Sequence, residues 1–196
     1  MPLEDYQKKR NFDRTSEPPT EPETGSQEDN TSMLKFVMHK HFASRLHFDL
    51  RLELDGVLKS WAIPKGPTIN PKDKKLAVMV EDHPFGYKDF EGIIPEGSYG
   101  AGRVYIWDSG TYHALGTDDR DQSTKLLKEG LEKGHLTFIL NGHVLKGEFA
   151  LVRLKKASPK DWLLIKKNDE FSADIDISKL EAPDEAKEKE LSKKKQ

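Results

Sequence analysis

From His47 to Leu54 the chain reads His-Phe-Asp-Leu-Arg-Leu-Glu-Leu, with polar and apolar residues in strict alternation. Phe48, Leu50, Leu52 and Leu54 share one parity; His47, Asp49, Arg51 and Glu53 share the other. That is the period of a strand with one buried face. Residues two apart on such a face sit roughly 6.5–7 Å apart at the backbone, so His47 and Asp49 can converge on one metal ion. Arg51, one step further, can reach an anion held by that metal. His41, six residues before His47, puts a third ligand at hand. The bland reading of the same alternation is a solvated charged face, on which a lone histidine does nothing.

The elements that must position these groups are short strands joined by tight turns. Asp55-Gly56 predicts a type I′ hairpin turn, with Val57–Ile63 as the returning strand. A two-residue loop pairs Leu54 with Val57, Arg51 with Ser60 and Asp49 with Ala62. The small Ser60 and Ala62 then leave room beside the charged face. Strands are expected at Leu34–His39, His47–Leu54, Val57–Ile63, Leu76–Glu81, Arg103–Trp107, Leu136–Leu140, Val144–Leu154 and Trp162–Lys166. Asn70-Pro71, Ser109-Gly110 and Asn141-Gly142 carry turn chemistry between them. One helix is expected at about Gln122–Lys133, with Leu126, Leu127 and Leu131 on one face, Gly134 as its stop and Gly130 as a weak point. The pattern predicts an all-β, mainly antiparallel fold: a small closed or nearly closed β-barrel with one short helix. Closure is expected to wall the polar cavity around the charged face.

Two further stretches carry candidate chemistry. Pro64-Lys65-Gly66-Pro67 ends the returning strand on the His47 side, and Lys65 is placed either for phosphate or for solvent. Glu81 and His83 share the parity of Lys75, Ala77 and Met79, and Tyr87 follows. A histidine and a tyrosine beside an arginine can donate hydrogen bonds to phosphate oxygens or protonate a leaving group. Gly97-Ser98-Tyr99-Gly100-Ala101-Gly102 matches neither a Walker loop nor a dinucleotide fingerprint; it reads as a tight, backbone-driven turn.

Composition bounds the rest. The 196 residues suffice for one domain with a real core. No apolar run reaches ~18 residues, and no secretory leader is evident. The chain has no cysteine, which excludes thiolate metal sites and fits a cytoplasmic protein. The net charge of −2 is uneven. Residues 1–30 hold four basic and eight acidic groups, whereas residues 31–180 hold 23 basic and 21 acidic. Residues 1–30, rich in Pro and acid, are expected to be a flexible segment, apart from the basic-aromatic Tyr6–Phe12. Residues 31–180 form the expected barrel domain, and 181–196 a charged C-terminal tail.

Several stretches together resemble the 3′-phosphoesterase domain family found at the start of bacterial ligase D and also as free-standing proteins. They are His41-x5-His47-Phe48-Asp49-Leu50-Arg51, Leu58–Pro67, Val80-Glu81-Asp82-His83-Pro84, Glu91–Gly97 and Ile106–Thr111. The resemblance implies a metal-dependent enzyme that removes 3′-terminal ribonucleotides and 3′-phosphates before ligation. It implies one divalent metal, manganese first and zinc or cobalt as alternatives, on His41, His47 and Asp49. It implies phosphate contacts from Arg51, His83 and Tyr87, supported by Lys65, Lys75 and Glu81, with Arg10 and Glu17 contributing from upstream. Lys75 stands where the family often has Arg, and Asn11 where Asp is common, which makes diester cleavage the more fragile of the two activities. The implied partners are primer-template DNA with a 3′-ribonucleotide or 3′-phosphate end and, in trans, an ATP-dependent DNA ligase, a polymerase and Ku. No membrane is implied, and no ligase or polymerase module fits in the remaining length.

Two other readings compete. His47 and Asp49, with His143 as a distal ligand and Arg153 for a co-substrate carboxylate, would make a non-haem iron oxygenase. A non-catalytic nucleic-acid-binding repair module is the other, and a complete ligand set speaks against it. His39, His113 and His135 read as structural or solvated.

Overall fold

A computed structural model describes residues 3–20 and 33–193 of the chain. Among these, ten strands form one antiparallel sheet: β1 (Leu34–Phe42), β2 (Leu46–Leu54), β3 (Val57–Ile63), β4 (Lys74–Met79), β5 (His83–Pro84), β6 (Gly92–Ile94), β7 (Gly102–Ala114), β8 (His135–Asn141), β9 (Lys146–Arg153) and β10 (Asp161–Lys166). Eight of them run β1-β2-β3-β4-β10-β9-β8-β7, and β7 pairs back onto β1. The sheet is therefore a closed barrel, which leaves no free edge along the ring. β6 extends β7, and β5 pairs with β3.

The hairpin that carries the charged face forms as its residues demand. Asp55 and Gly56 both take positive φ, 55° and 74°, the signature of a type I′ turn. Leu54 pairs with Val57, Arg51 with Ser60 and Asp49 with Ala62. The apolar parity turns inward. Phe36 and Met38 of β1, Leu50 and Leu52 of β2, and Trp61 and Ile63 of β3 pack with Trp107, Phe138, Phe149, Leu151 and Trp162 from the other strands. Each such side chain contributes roughly 1.5–3 kcal/mol by leaving water.

An eight-stranded barrel is just wide enough to be filled by side chains. The polar cavity is accordingly not enclosed by closure as expected: His41, Asp49 and Arg51 face outward. A second cluster covers that outer face, made of Tyr6, Leu58, Tyr87, Phe90, Ile94 and Val104. It brings together the short helix α1 (Leu3–Lys8), the 3-10 turn Phe85–Asp89 and β6. Residues 3–20, expected to be flexible except at Tyr6–Phe12, thus pack on the barrel: Tyr6 is fully buried and its hydroxyl donates to Pro18 O at 2.8 Å. The parts of that expectation over 1–2 and 21–30 lie outside the described residues.

The expected helix is α2, Arg120–Lys133. Asp119 caps it by accepting from Gln122 N at 2.8 Å, and Gly134 ends it in the left-handed conformation, φ 78°. Leu127 is buried and Leu126 exposed, so the apolar face is narrower than expected. Gly130 lies where a Cβ would come within 2.7 Å of His135 O; close packing on β8 explains it. Ser109-Gly110, expected as a turn, lies inside β7. A Cβ at Gly110 would stand 2.2 Å from Asn141 O, so the glycine answers to crowding by the β8 end. Part of the expected charged tail is a docked helix, α3 (Pro183–Lys193). Buried Lys40 reaches Glu185 Oε2 at 2.9 Å and Leu180 O at 3.0 Å. Residues 194–196 of that tail lie outside the described residues.

Candidate metal centre

His41 near the end of β1 pairs directly with His47 near the start of β2, and His39 pairs with Asp49. Register alone therefore brings His41, His47 and Asp49 onto one patch of the outer face. Their candidate ligand atoms lie within 4.8 Å of one another. His41 Nδ1 is 3.7 Å from Asp49 Oδ2, and His47 Nε2 is 3.7 Å from Asp49 Oδ1.

Each imidazole is oriented by a backbone carbonyl. His41 Nε2–H donates to Gly100 O at 2.9 Å, and His47 Nδ1–H donates to Arg45 O at 3.0 Å. A carbonyl can only accept, so in a neutral ring the lone pair lies on the other nitrogen, and both of those nitrogens face Asp49. That is the outer hydrogen bonding of metal-binding histidines. Burial opposes the charge on Asp49, but the Arg51 guanidinium leads the groups that offset it, and the carboxyl is held well below the usual range. Two neutral nitrogens and a carboxylate, without sulfur, fit a divalent ion. Among the described residues they are the one group of this kind able to hold a metal.

Arg51 sits beside this group with its guanidinium fixed on every nitrogen. Nη2 donates to Asp49 Oδ2 (3.2 Å), Nη1 to Ser60 Oγ (3.0 Å) and Nε to His39 Nδ1 (3.2 Å), and the ring of Tyr87 lies 4.6 Å away. One N–H on each Nη remains for another acceptor. His39, set aside in the sequence as structural or solvated, is fully buried and braces Arg51. Burial, and then the charge of Arg51, hold it down to about 3, so it stays a neutral acceptor. Its parity with His41 was the available signal. Ser60, noted only for its smallness, is the other brace.

The remaining expected groups arrive from β5, the 3-10 turn and the N-terminal segment. His83 Nδ1–H donates to Glu81 O at 2.9 Å, which leaves Nε2 to accept from Arg10 Nη2 at 3.4 Å. Burial and the charges of Arg51 and Arg10 keep His83 well below the ordinary histidine range. Burial likewise raises Tyr87, so its phenol stays protonated and donates to Glu17 Oε1 at 3.0 Å. Arg10 spans Glu17 (3.2 Å) and Glu81 (2.7 Å), and Lys9 adds a second cation to Glu81 at 2.9 Å. Arg10 also lies over the ring of Tyr6, 4.2 Å away. His41, His47, Asp49, Arg51, Glu81, His83, Tyr87, Arg10 and Glu17 thus form one continuous network.

Lys65 and Lys75 stand apart from it. Lys65 is exposed just past the end of β3, and Lys75 on β4 pairs with Asp73 at 3.2 Å. Asn11 is exposed and serves a local turn, accepting from Asp13 N. The oxygenase ligand set does not assemble. The side chain of His143 is 86% exposed and lies against Asp108 and Ser109, while Arg153 donates to Glu132 O and faces the ring of Trp162. No helix among the described residues is long and apolar enough to cross a membrane.

Comparison with known proteins bears on this geometry. Residues 39–153 match the family model described as the DNA ligase D 3′-phosphoesterase domain. The chain is 48% identical over 176 residues to the multifunctional non-homologous end joining protein LigD of Pseudomonas aeruginosa, which covers 89% of this chain and 20% of that protein. It is 40% identical over 173 residues to the protein of the same name from Mycolicibacterium smegmatis, with 87% of this chain and 21% of that one covered. With the multifunctional non-homologous end joining DNA repair protein LigD of Mycobacterium tuberculosis it shares 43% identity over 150 residues, 76% of this chain and 18% of that protein. The chain spans about a fifth of the length of these curated relatives.

Proposed function

The chain belongs to the DNA ligase D 3′-phosphoesterase domain family, and from that premise we propose that it is a metal-dependent 3′-end-processing enzyme of DNA repair. Its substrate is a primer strand ending in a ribonucleotide or a 3′-phosphate, and its product is a 3′-hydroxyl fit for ligation. One observation carries the reading. The metal-ligand group and a guanidinium with free N–H groups share one outer face, joined by the 3.2 Å bond from Arg51 to Asp49.

His41, His47 and Asp49 would hold the ion, with manganese favoured and zinc or cobalt compatible with the same donors. A bound divalent ion supplies positive charge at a phosphoryl centre and acidifies water beside it. The chain itself does the rest. Arg51 presents its two remaining N–H groups to the non-bridging oxygens, a charge-assisted clamp already held in place by Asp49, Ser60 and His39. Tyr87, protonated at neutral pH, is a hydrogen-bond donor to the same oxygens once it leaves Glu17. His83 has a free acceptor at Nε2 and must take up a proton before it can give one to a leaving oxygen. A phosphate beside it supplies the negative charge that offsets Arg51 and Arg10 and makes that uptake favourable. Arg10, Glu17 and Glu81 hold these groups against the barrel.

In the diester step a water oxygen bonds to phosphorus and the bond to the 5′ oxygen of the last nucleoside breaks. That oxygen takes up a proton, leaving a 3′-phosphate and a free nucleoside. A second hydrolysis releases inorganic phosphate and leaves the 3′-hydroxyl. The 2′-hydroxyl is the mark that separates a ribonucleotide end from DNA, and the relatives' printed role in end joining supports a reading in which DNA ends are the substrate. An ATP-dependent DNA ligase, a polymerase and Ku are the partners this reading implies.

The test is a labelled primer ending in one ribonucleotide, incubated with the protein and manganese, with product ends mapped. We expect stepwise conversion to a 3′-phosphate and then a 3′-hydroxyl, none in chelator, and an all-DNA 3′-hydroxyl primer left whole. Equal trimming of all-DNA and ribonucleotide-ended primers would mean a general exonuclease instead.

A further inference from the structure

Tyr99 lies outside the network described above, and its setting is unusual for an exposed aromatic. Its side chain belongs to the loop 97–101, which β7 follows. That loop is braced from inside by Ser98 N donating to Pro95 O and Ala101 N to Ser98 O, both at 3.1 Å. Gly97 and Gly100 take φ of 81° and 75°. At Gly102 a Cβ would stand 2.2 Å from Phe42 O, so the loop is pressed against the end of β1. The carbonyl of the next residue, Gly100, is the one that orients His41. On its other side the Tyr99 ring faces Lys9 Nζ at 4.6 Å and Arg10 at 5.3 Å, and Arg10 is the group that reaches His83. One rigid aromatic side chain, 52% exposed, therefore stands a single residue from the group orienting a metal ligand and a single side chain from His83.

The two flanks of the metal centre differ. In the order β7-β1-β2-β3, the ligands come from the two middle strands, with Tyr99 on the β7 flank and Lys65 on the β3 flank. Lys9 and Arg10, beside Tyr99, are neutralised by Glu81 and Glu17. Lys65 past β3 and Arg45 in the β1–β2 turn are exposed, with no carboxylate partner among the described residues. A retained primer strand carries further phosphates and needs the unneutralised cations. The departing nucleoside has no phosphate beyond the scissile one, and offers a base. An aromatic face on a charge-balanced flank suits a base.

We propose that Tyr99 is the platform on which the base of the departing 3′-terminal nucleoside stacks, and hence a specificity-determining residue of diester cleavage. This rests on the end-processing reading above. Phosphate removal involves no departing base and does not draw on it.

The experiment compares Tyr99→Ala, Tyr99→Phe and wild type on two manganese-supplied substrates: a primer ending in one ribonucleotide and the same primer ending in a 3′-phosphate. Stacking of one base on an aromatic ring corresponds to roughly a five- to hundredfold effect. Tyr99→Ala is expected to raise KM for the ribonucleotide-ended primer within that range, at least fivefold more than for the 3′-phosphate. Tyr99→Phe, which keeps the ring, is expected to retain the wild-type ratio. A third primer, ending in an abasic ribose, is expected to erase the difference between wild type and Tyr99→Ala. A loss in Tyr99→Ala that is equal on both substrates, or that persists on the abasic end, would overturn the proposal and make Tyr99 a structural or primer-side residue. Wild type inactive on both primers would instead overturn the end-processing reading itself.

Discussion

At the scale of single residues, the site depends on groups whose neighbours decide their protonation. Asp49 is ionised because the Arg51 guanidinium leads the groups that offset its burial, and each neutral histidine ring is held in one tautomer by a carbonyl. His47→Ala or Asp49→Ala is therefore expected to abolish both manganese binding, measured by calorimetric titration, and turnover, while the circular dichroism of the barrel is kept. Arg51→Lys keeps the charge and loses the planar fork. We expect metal binding to survive and kcat to fall about 10²-fold; a wild-type kcat would reduce Arg51 to a surface charge. His83 gives a pH prediction. Its folded pKa lies below the ordinary value of about 6.5, so between the two the unfolded chain binds the extra proton. Its contribution to stability is full above about pH 6.5 and declines as pH falls below it. Thermal melts of metal-free His83→Gln should lose stability less steeply between about pH 6.5 and 4.5, before carboxylates begin to titrate. An unchanged slope would show that His83 titrates normally.

At the scale of elements, the candidate metal centre is a product of strand register and of one loop. The β1–β2 register brings His41 to His47 and His39 to Asp49, and the loop before β7 supplies the Gly100 carbonyl. That loop is placed by Gly102, whose φ of 142° and 2.2 Å clearance from Phe42 O admit no side chain. Gly102→Ala is expected to destabilise the protein by about 2–4 kcal/mol through forced backbone movement. It should also weaken manganese binding, because His41 loses its orienting acceptor. A variant with wild-type melting and wild-type metal affinity would show the loop to be freer than its packing implies. The N-terminal segment acts on the same scale: Arg10 links Glu17, Glu81 and His83.

At the scale of the whole molecule, the barrel separates its two jobs. Its interior is an apolar core to which strands all round the ring contribute, and the candidate site lies outside, under the N-terminal segment that carries Tyr6 and Arg10, while the C-terminal segment packs Ile177 and Ala182 on the inner cluster. One of the docked ends is α3, held by the pair of Lys40 and Glu185, both about 5% exposed at the side chain. Removing one partner of such a pair leaves a desolvated charge. Glu185→Leu is expected to cost about 2–3 kcal/mol in denaturant unfolding, and the double change Lys40→Met with Glu185→Leu to recover most of it. No recovery in the double variant would mean that the helix contributes through its apolar contacts instead.

Much of this was determined by the sequence alone, because it is local. The alternation in β2, the Asp55-Gly56 turn and the pairing that follows from a two-residue loop are short-range consequences of chirality and sterics, and they bring Arg51 to Ser60 without further help. The convergence of the three candidate metal ligands was legible for the same reason, since His47 and Asp49 share a face and His41 lies one turn away. Other features depend on residues far apart in the chain, and only the tertiary structure decided them. Which side of the barrel the charged face would take depended on how much apolar volume eight strands must enclose. His39 gained its role as a brace from the side chain of Arg51, and Gly100 its role from the packing of Gly102 against β1. Arg10 meets Glu81 across 71 positions of sequence, and Lys40 meets Glu185 across 145. No period in the sequence records such meetings, because they follow from closure of the barrel and from what its outer surface leaves to be covered.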